Sequence, residues 1–279
     1  MEKILLTIDA VNPNMTSLEF AGYLGRLTKS KITGIFLENK LNEQRPVLSK
    51  AYAVAEGDIE QEDTLKSEHI KNEIIEKNID LFKQCCITKE VGFTVHRDRG
   101  NPFRELITES RFADVLIVDA DISFRKSYEG VLTGFVKDIL KHAECPVVIA
   151  PESFESIDEI VFAYNGSASS VYAMKQFSYL FPAFKTKKTT ILQVNSEGKW
   201  RDPEKYILKE WLHEHYANLH FEALKGEADT ELFGYLLKRK NTFIVMGAYG
   251  RSTVSQLFKS SEADLLIKTI NQPIFIAHK

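Results

Sequence analysis

No apolar run in the 279 residues approaches the ~20 that a bilayer demands, so a membrane span is not expected. Cysteine is scarce, with Cys85, Cys86 and Cys145 the three in the chain. They are too few for a disulfide framework and wrongly spaced for a zinc knuckle, and a bridge between the neighbours Cys85 and Cys86 would be strained. Reduced structural thiols are therefore expected. Charge of one sign is missing as well: the formal net charge is -3 with acids and bases interspersed, which gives no footprint for nucleic acid. The opening MEKILLTID lacks the basic, apolar and small-residue pattern of a secretory signal, so a cytoplasmic location is expected. G-x-G-x-x-G, G-x-x-x-x-G-K and G-x-S-x-G are all absent, which removes the key residues of dehydrogenase, P-loop and α/β-hydrolase readings. His213, His215 and His220 include no pair three or four residues apart, so no metal motif shares a helical face. Trp211 and His215 do share one, and ring packing is expected there.

What is present describes a globular protein, 44% hydrophobic and 27% charged, long enough for two cores. β-Branched runs alternate with amphipathic helical stretches, the pattern of parallel strands joined by crossover helices, and the fold class is α/β. Strands are expected at 3–9, 32–37, 91–97, 114–119 and 146–150, and again at 159–164, 189–194, 219–224, 242–247 and 273–277. Five strands thus occur twice, in two open parallel sheets with helices on both faces. Helices at 16–29 and 170–181 keep apolar spacing near 3.6, through Leu18, Ala21, Tyr23 and Leu24, and through Val171, Met174, Phe177 and Leu180. Pro151 and the following ESFESIDE form a linker between domains at 1–151 and 152–279. The first copy carries extra residues. The polar segment 41–67 is the expected insertion, a surface excursion of the kind that serves as a lid or simply meets solvent.

Within the repeat, FIVMGAYGRSTVSQLFKSS at 243–261 aligns without a gap on 116–134. The later copy ends a strand in the turn Gly247-Ala248-Tyr249-Gly250 and then opens a helix with Ser260 and Ser261. Glycines let backbone N–H groups approach an anion, a helix start adds free amides and dipole, and Arg251 stands ready to clamp a phosphate. Taken singly, each part has a bland reading as a turn, a cap or a solvated cation. The earlier copy has Ala120 for Gly247 and Ser123 for Gly250, with Asp119 and Asp121 opposing an anion, so no nucleotide is expected there. Asp9, Asp119 and Asp121 are read as solvated acids rather than a metal site.

These residues resemble the universal stress protein family in its tandem form. Its ATP motif is Gly, two residues, Gly, nine residues, then Gly with Ser or Thr. Here Gly247, Gly250, nine intervening residues and Ser260-Ser261 match it, with only the third glycine replaced. Prolines before the last strands, Pro146 and Pro273, and the Gly100-x-Pro102 helix entry add to the likeness. The resemblance implies a Rossmann-like fold and one adenine-nucleotide site, holding ATP with Mg²⁺. It places Asn165 and Val194 near the adenosine with Met246 beside them, Gly247, Gly250 and Arg251 at the phosphates, and Ser260 and Ser261 donating from the helix. Asn165 stands where ATP-binding members carry Asp. Glu262 stands where they carry Val, and two like charges ~4 Å apart repel by roughly 4 kcal/mol at an effective dielectric near 20. The implied function is stress-response binding without catalysis. Its alternatives are a nucleotide-free interaction module for an unidentified protein partner and slow ATP hydrolysis. Family members pair through their last strands, so VVIAP and IFIAH are expected to meet, giving a monomer with an internal pseudo-dimer or else a homodimer.

Overall fold

The computed structural model describes residues 1–39, 57–123, 132–247 and 271–277. Among them one ten-stranded sheet runs in the order β3-β2-β1-β4-β5-β10-β9-β6-β7-β8. In the first half, β1 (Lys3–Asp9), β2 (Lys31–Asn39), β3 (Phe93–Gly100), β4 (Val115–Val118) and β5 (Val147–Ile149) alternate with α1 (Met15–Thr28), α2 (Gly57–Thr88), α3 (Pro102–Ser110) and α4 (Gly134–His142). The second half repeats the pattern with β6 (Glu159–Tyr164), α5 (Ala168–Leu180), β7 (Lys188–Asn195), α6 (Asp202–His213), β8 (Asn218–Lys225), α7 (Ala228–Leu236), β9 (Thr242–Gly247) and β10 (Ile274–Ala277). All pairings within each half are parallel. The two sheets join through one antiparallel pair, with Ile274 opposite Ile149, Phe275 opposite Val148 and Ile276 opposite Val147.

Helix starts follow from local chemistry. Asn14, Asn101, Thr133 and Ser167 each accept the amide three residues on, at 3.1–3.2 Å, and so cap α1, α3, α4 and α5. Strand 3 begins two residues later than its composition suggests. Val91 donates its N–H to Cys86 O at 2.9 Å and Glu90 has φ 58°, so both close α2 rather than open the strand.

The expected excursion at 41–67 is corrected in its second part. From Gly57 the chain is already in α2, a 32-residue helix, while residues 40–56 lie outside the described set. Glu, Lys, Gln and Asp make this stretch too polar for core, but a helix with one wet face tolerates them well. Its later turns bury Ile75, Ile79, Phe82 and Cys86 against the sheet.

Strand alternation sends side chains to two cores. Ile4, Leu6, Ile160, Phe162, Phe243 and Phe275 enter the layer under α1, α2, α5 and α6, whereas Leu5, Val161, Ile244 and Ile274 enter the layer under α3, α4 and α7. Both layers cross the junction between halves. Phe177 of α5 gathers Phe162, Phe243 and Phe275 with ring centroids at 5.8, 5.0 and 5.3 Å, and Phe20 of α1 reaches Phe243 at 6.0 Å. The linker is packed too, since Phe154 sits 5.1 Å from Phe20 and 4.8 Å from Tyr23. Glu159, at the start of β6, accepts from Thr190 at 2.8 Å, Lys188 at 3.0 Å and Arg239 at 2.9 Å. Burial alone would raise its carboxyl, but these partners outweigh it and hold it below the ordinary range.

Phe275 is fully buried and lies in the joining strand, so Phe275→Ala should cost about 3–5 kcal/mol. Chemical denaturation followed by far-UV circular dichroism should show a single earlier transition. Loss of the second half alone, leaving a separate first-half transition, would mean that the shared cores do not couple the halves.

Candidate functional site

In the second half, three strand ends converge beside the starts of α5 and α7. Ala163, Asn165, Leu192, Val194, Met246 and Gly247 line a cavity of about 100 Å³, with Leu232 and Ala228 of α7 and Ser170 of α5 on its other side. Four of the eight residues expected from the sequence, Asn165, Val194, Met246 and Gly247, therefore meet around one cavity. Gly250, Arg251, Ser260 and Ser261 lie outside the described residues, as does Glu262. In the first half, Thr133 stands at the repeat position of Ser260; its hydroxyl accepts Val136 N at 3.2 Å and donates to Ile122 O at 2.6 Å.

Two of these residues also do structural work. Asn165 Oδ1 accepts Ser167 N at 3.1 Å and shapes the turn into α5, where Gly166 takes φ +81°. Asp9 forms the same turn in the first half, its Oδ1 accepting from Val11 N at 2.9 Å and Asn12 N at 3.0 Å. Asn165 is thus left with its amide N–H₂ as the group to offer a ligand. Gly247 packs directly on the first turn of α5. A Cβ there would lie 2.4 Å from Ser169 C and 2.5 Å from Ser170 N. The glycine is therefore required by a helix approaching the strand end, a reason that motif spacing does not distinguish from phosphate approach. Ala228 and Leu232, one helical turn apart on α7, were missed; their i, i+4 spacing was the available signal.

The first half is built differently at its strand ends. α2 is tied over them, with Asn78 Nδ2 donating to Ala10 O at 2.8 Å and Val11 O at 3.0 Å. Buried Glu38 accepts Arg97 Nε at 2.7 Å, and the same guanidinium donates to Glu76 at 2.8 Å and Asn72 at 2.6 Å. Asp119 accepts Asp121 N at 3.0 Å. Burial pushes the Asp119 carboxyl up, the carboxylates of Asp121 and Asp9 add to that, and bonds from Asp121 N and Asn14 oppose it. Among the described residues no three His, Cys, Asp or Glu side chains gather as metal ligands, and no helix is long and apolar enough to cross a membrane.

All three thiols are free, and burial pushes Cys86 and Cys145 up to about 12, which keeps them protonated and unreactive at neutral pH. Trp211 packs on His215 with centroids 4.5 Å apart, as their spacing suggested.

No family model matches the chain. It is 26% identical over 163 residues to the universal stress protein Slr1230 of Synechocystis, covering 56% of this chain and 55% of that protein. The chain thus spans about half the length of this curated relative. Among solved structures, a universal stress protein from Archaeoglobus fulgidus superposes with TM-score 0.71 at 16% identity, over 99% of this chain and 96% of that one. A putative universal stress protein from Pseudomonas aeruginosa gives 0.58 at 12% identity, over 100% and 93%. The chain is similar to universal stress proteins in sequence and shares their fold, and the ten strands among its described residues fit the tandem form.

Gly247→Ala should destabilise by about 1–3 kcal/mol, because the new methyl meets backbone that cannot rotate away. Urea titration checks this, and an unchanged midpoint would disprove the steric account. Asp119→Asn should raise the melting temperature at pH 7. A raised folded pKa means the ionised form is penalised in the fold, so the gain should be complete above that pKa. It should vanish as pH falls below the unfolded value of about 3.9. A gain that persists undiminished at low pH would assign it to packing instead.

Proposed function

We propose that this chain, with the tandem universal stress protein fold and sequence likeness to that family, serves stress response as a cytoplasmic binding protein with one adenine-nucleotide site. The observation that carries this reading is the convergence of Asn165, Val194, Met246 and Gly247, from the ends of β6, β7 and β9, on a single cavity. At about 100 Å³ the cavity is well below the ~300–1,000 Å³ of pockets that enclose a whole ligand. It suits a flat base held between Leu192 and Val194 on one side and Met246 and Leu232 on the other. Asn165 then offers its amide to the ribose. By the sequence motif, Gly250, Arg251, Ser260 and Ser261 would serve the phosphates, and a bound Mg²⁺ would offset the charge of the phosphates and of Glu262. Pairing of β5 with β10 inside one chain supports a monomer.

A rival reading, a nucleotide-free module for a protein partner, draws on the structural work done by Asn165 Oδ1 and Gly247, either of which accounts for its residue without a ligand.

Isothermal calorimetry with MgATP separates the two. The nucleotide reading expects saturable heat that Ala163→Leu, which fills the cavity from β6, abolishes while circular dichroism stays unchanged. It also expects tighter binding by Glu262→Val. Neither heat nor thermal shift at millimolar MgATP would refute it and leave the interaction module standing.

A further inference from the structure

Asn165 and Val194 also border a second cavity, of about 210 Å³, bounded by the end of β7, the following loop and the start of α6. Its lining is opposite in character to the first, with Gln193, Asn195, Lys199 and Arg201 beside Glu197 and Glu204.

Gln193 is the telling residue. It is 8% exposed and lines the cavity, and its Oε1 accepts from Asn195 Nδ2 at 3.2 Å, while among the described residues no protein group accepts from its Nε2. Strand register pairs Tyr164 with Gln193 as it pairs Ile8 with Phe36, so the repeat counterpart of Gln193 is a phenylalanine, fully buried 5.9 Å from Phe82. Hydrophobic packing was thus available at this position, and the second half carries a carboxamide donor there instead. Lys199 and Arg201 likewise have no ion-pair partner among the described residues, and Arg201 occupies the N-cap position of the 12-residue α6 without a side-chain cap bond.

The site is held ready. Asn195 Oδ1 accepts from the amides of Glu197, Gly198 and Lys199 at 3.1, 2.7 and 3.3 Å. Trp200 donates Nε1–H to Glu222 O at 3.1 Å and stacks on Tyr164 at 5.5 Å.

We propose that this cavity binds a compact oxyanion, a phosphate or carboxylate group on a small hydroxylated metabolite. Gln193 Nε2, Lys199 and Arg201 hold the anion. Glu197 and Glu204 accept from the hydroxyls. The volume of about 210 Å³ admits few heavy atoms, which suits a single oxyanion group on a small molecule better than a polyphosphate.

The chain has two tryptophans, so Trp211→Phe leaves Trp200, beside the cavity, as the only indole reporter. In that background, fluorescence should change saturably with glycerol 3-phosphate or with glycerate, and whichever saturates identifies the oxyanion. Glycerol and matched sodium chloride should give no such change. Gln193→Leu and Arg201→Gln should each weaken binding at least tenfold, and Gln193→Leu should melt no lower than its parent. The response should survive Ala163→Leu, which separates it from the nucleotide reading. No saturation by either anion would overturn the proposal. So would undiminished binding by Arg201→Gln with a Gln193→Leu variant that only loses stability.

Discussion

An edge strand built from Val147, Val148 and Ile149 exposes unpaired backbone groups and an apolar surface on both faces, and so does one built from Ile274, Phe275 and Ile276. Setting them antiparallel satisfies both edges at once. The pairing fixes the rest of the molecule: it makes one sheet of two and brings Phe275 under Phe177. It also lets the aromatic layer run from α1 to α5 without a break. A linker packed through Phe154, rather than free, follows from the same continuity.

Within that shared frame the halves have diverged at the carboxyl ends of their strands, where open parallel sheets offer room for ligands. The first half spends the room on itself: Asn78, Glu38 and Arg97 tie the long α2 across β1, β2 and β3. The second half has a helix of 12 residues in the same topological place and leaves two cavities side by side, one apolar and one polar. The difference traces to a few substitutions at equivalent register. Where the first half has Phe36 and Glu38, the second has Gln193 and Asn195, of which Gln193 lines a cavity and Asn195 ties down the loop that follows β7.

Much of this was legible in the sequence because periodicity and internal repetition agreed. Strands at 3–9, 159–164 and 242–247 have the bounds their patterns suggest. The meeting of the last strands was expected from the family resemblance, with which the short apolar run at the end of each half agrees. Legibility failed where composition is ambiguous. The acidic, Lys-rich residues from Gly57 onward suit a solvated helix as well as a loop, and Val91 looks like strand but serves as a helix stop. It failed again where one residue meets two demands. The spacing of Gly247 matches a phosphate cradle, yet the backbone of Ser169 and Ser170 alone forbids a side chain there. Gln193 was passed over because a single polar residue inside a strand carries no signal until its register neighbour Tyr164 and the loop after Asn195 are known.

The central claim is that a duplicated fold keeps one ligand-accessible half and one closed upon itself. Amide shift mapping by two-dimensional proton–nitrogen NMR during a MgATP titration tests it most directly. The account predicts saturable shifts at Asn165, Val194 and Gly247, with Asp9, Ala10 and Leu37 unmoved. Equal perturbation of both sets, or movement of the first-half set alone, would contradict it.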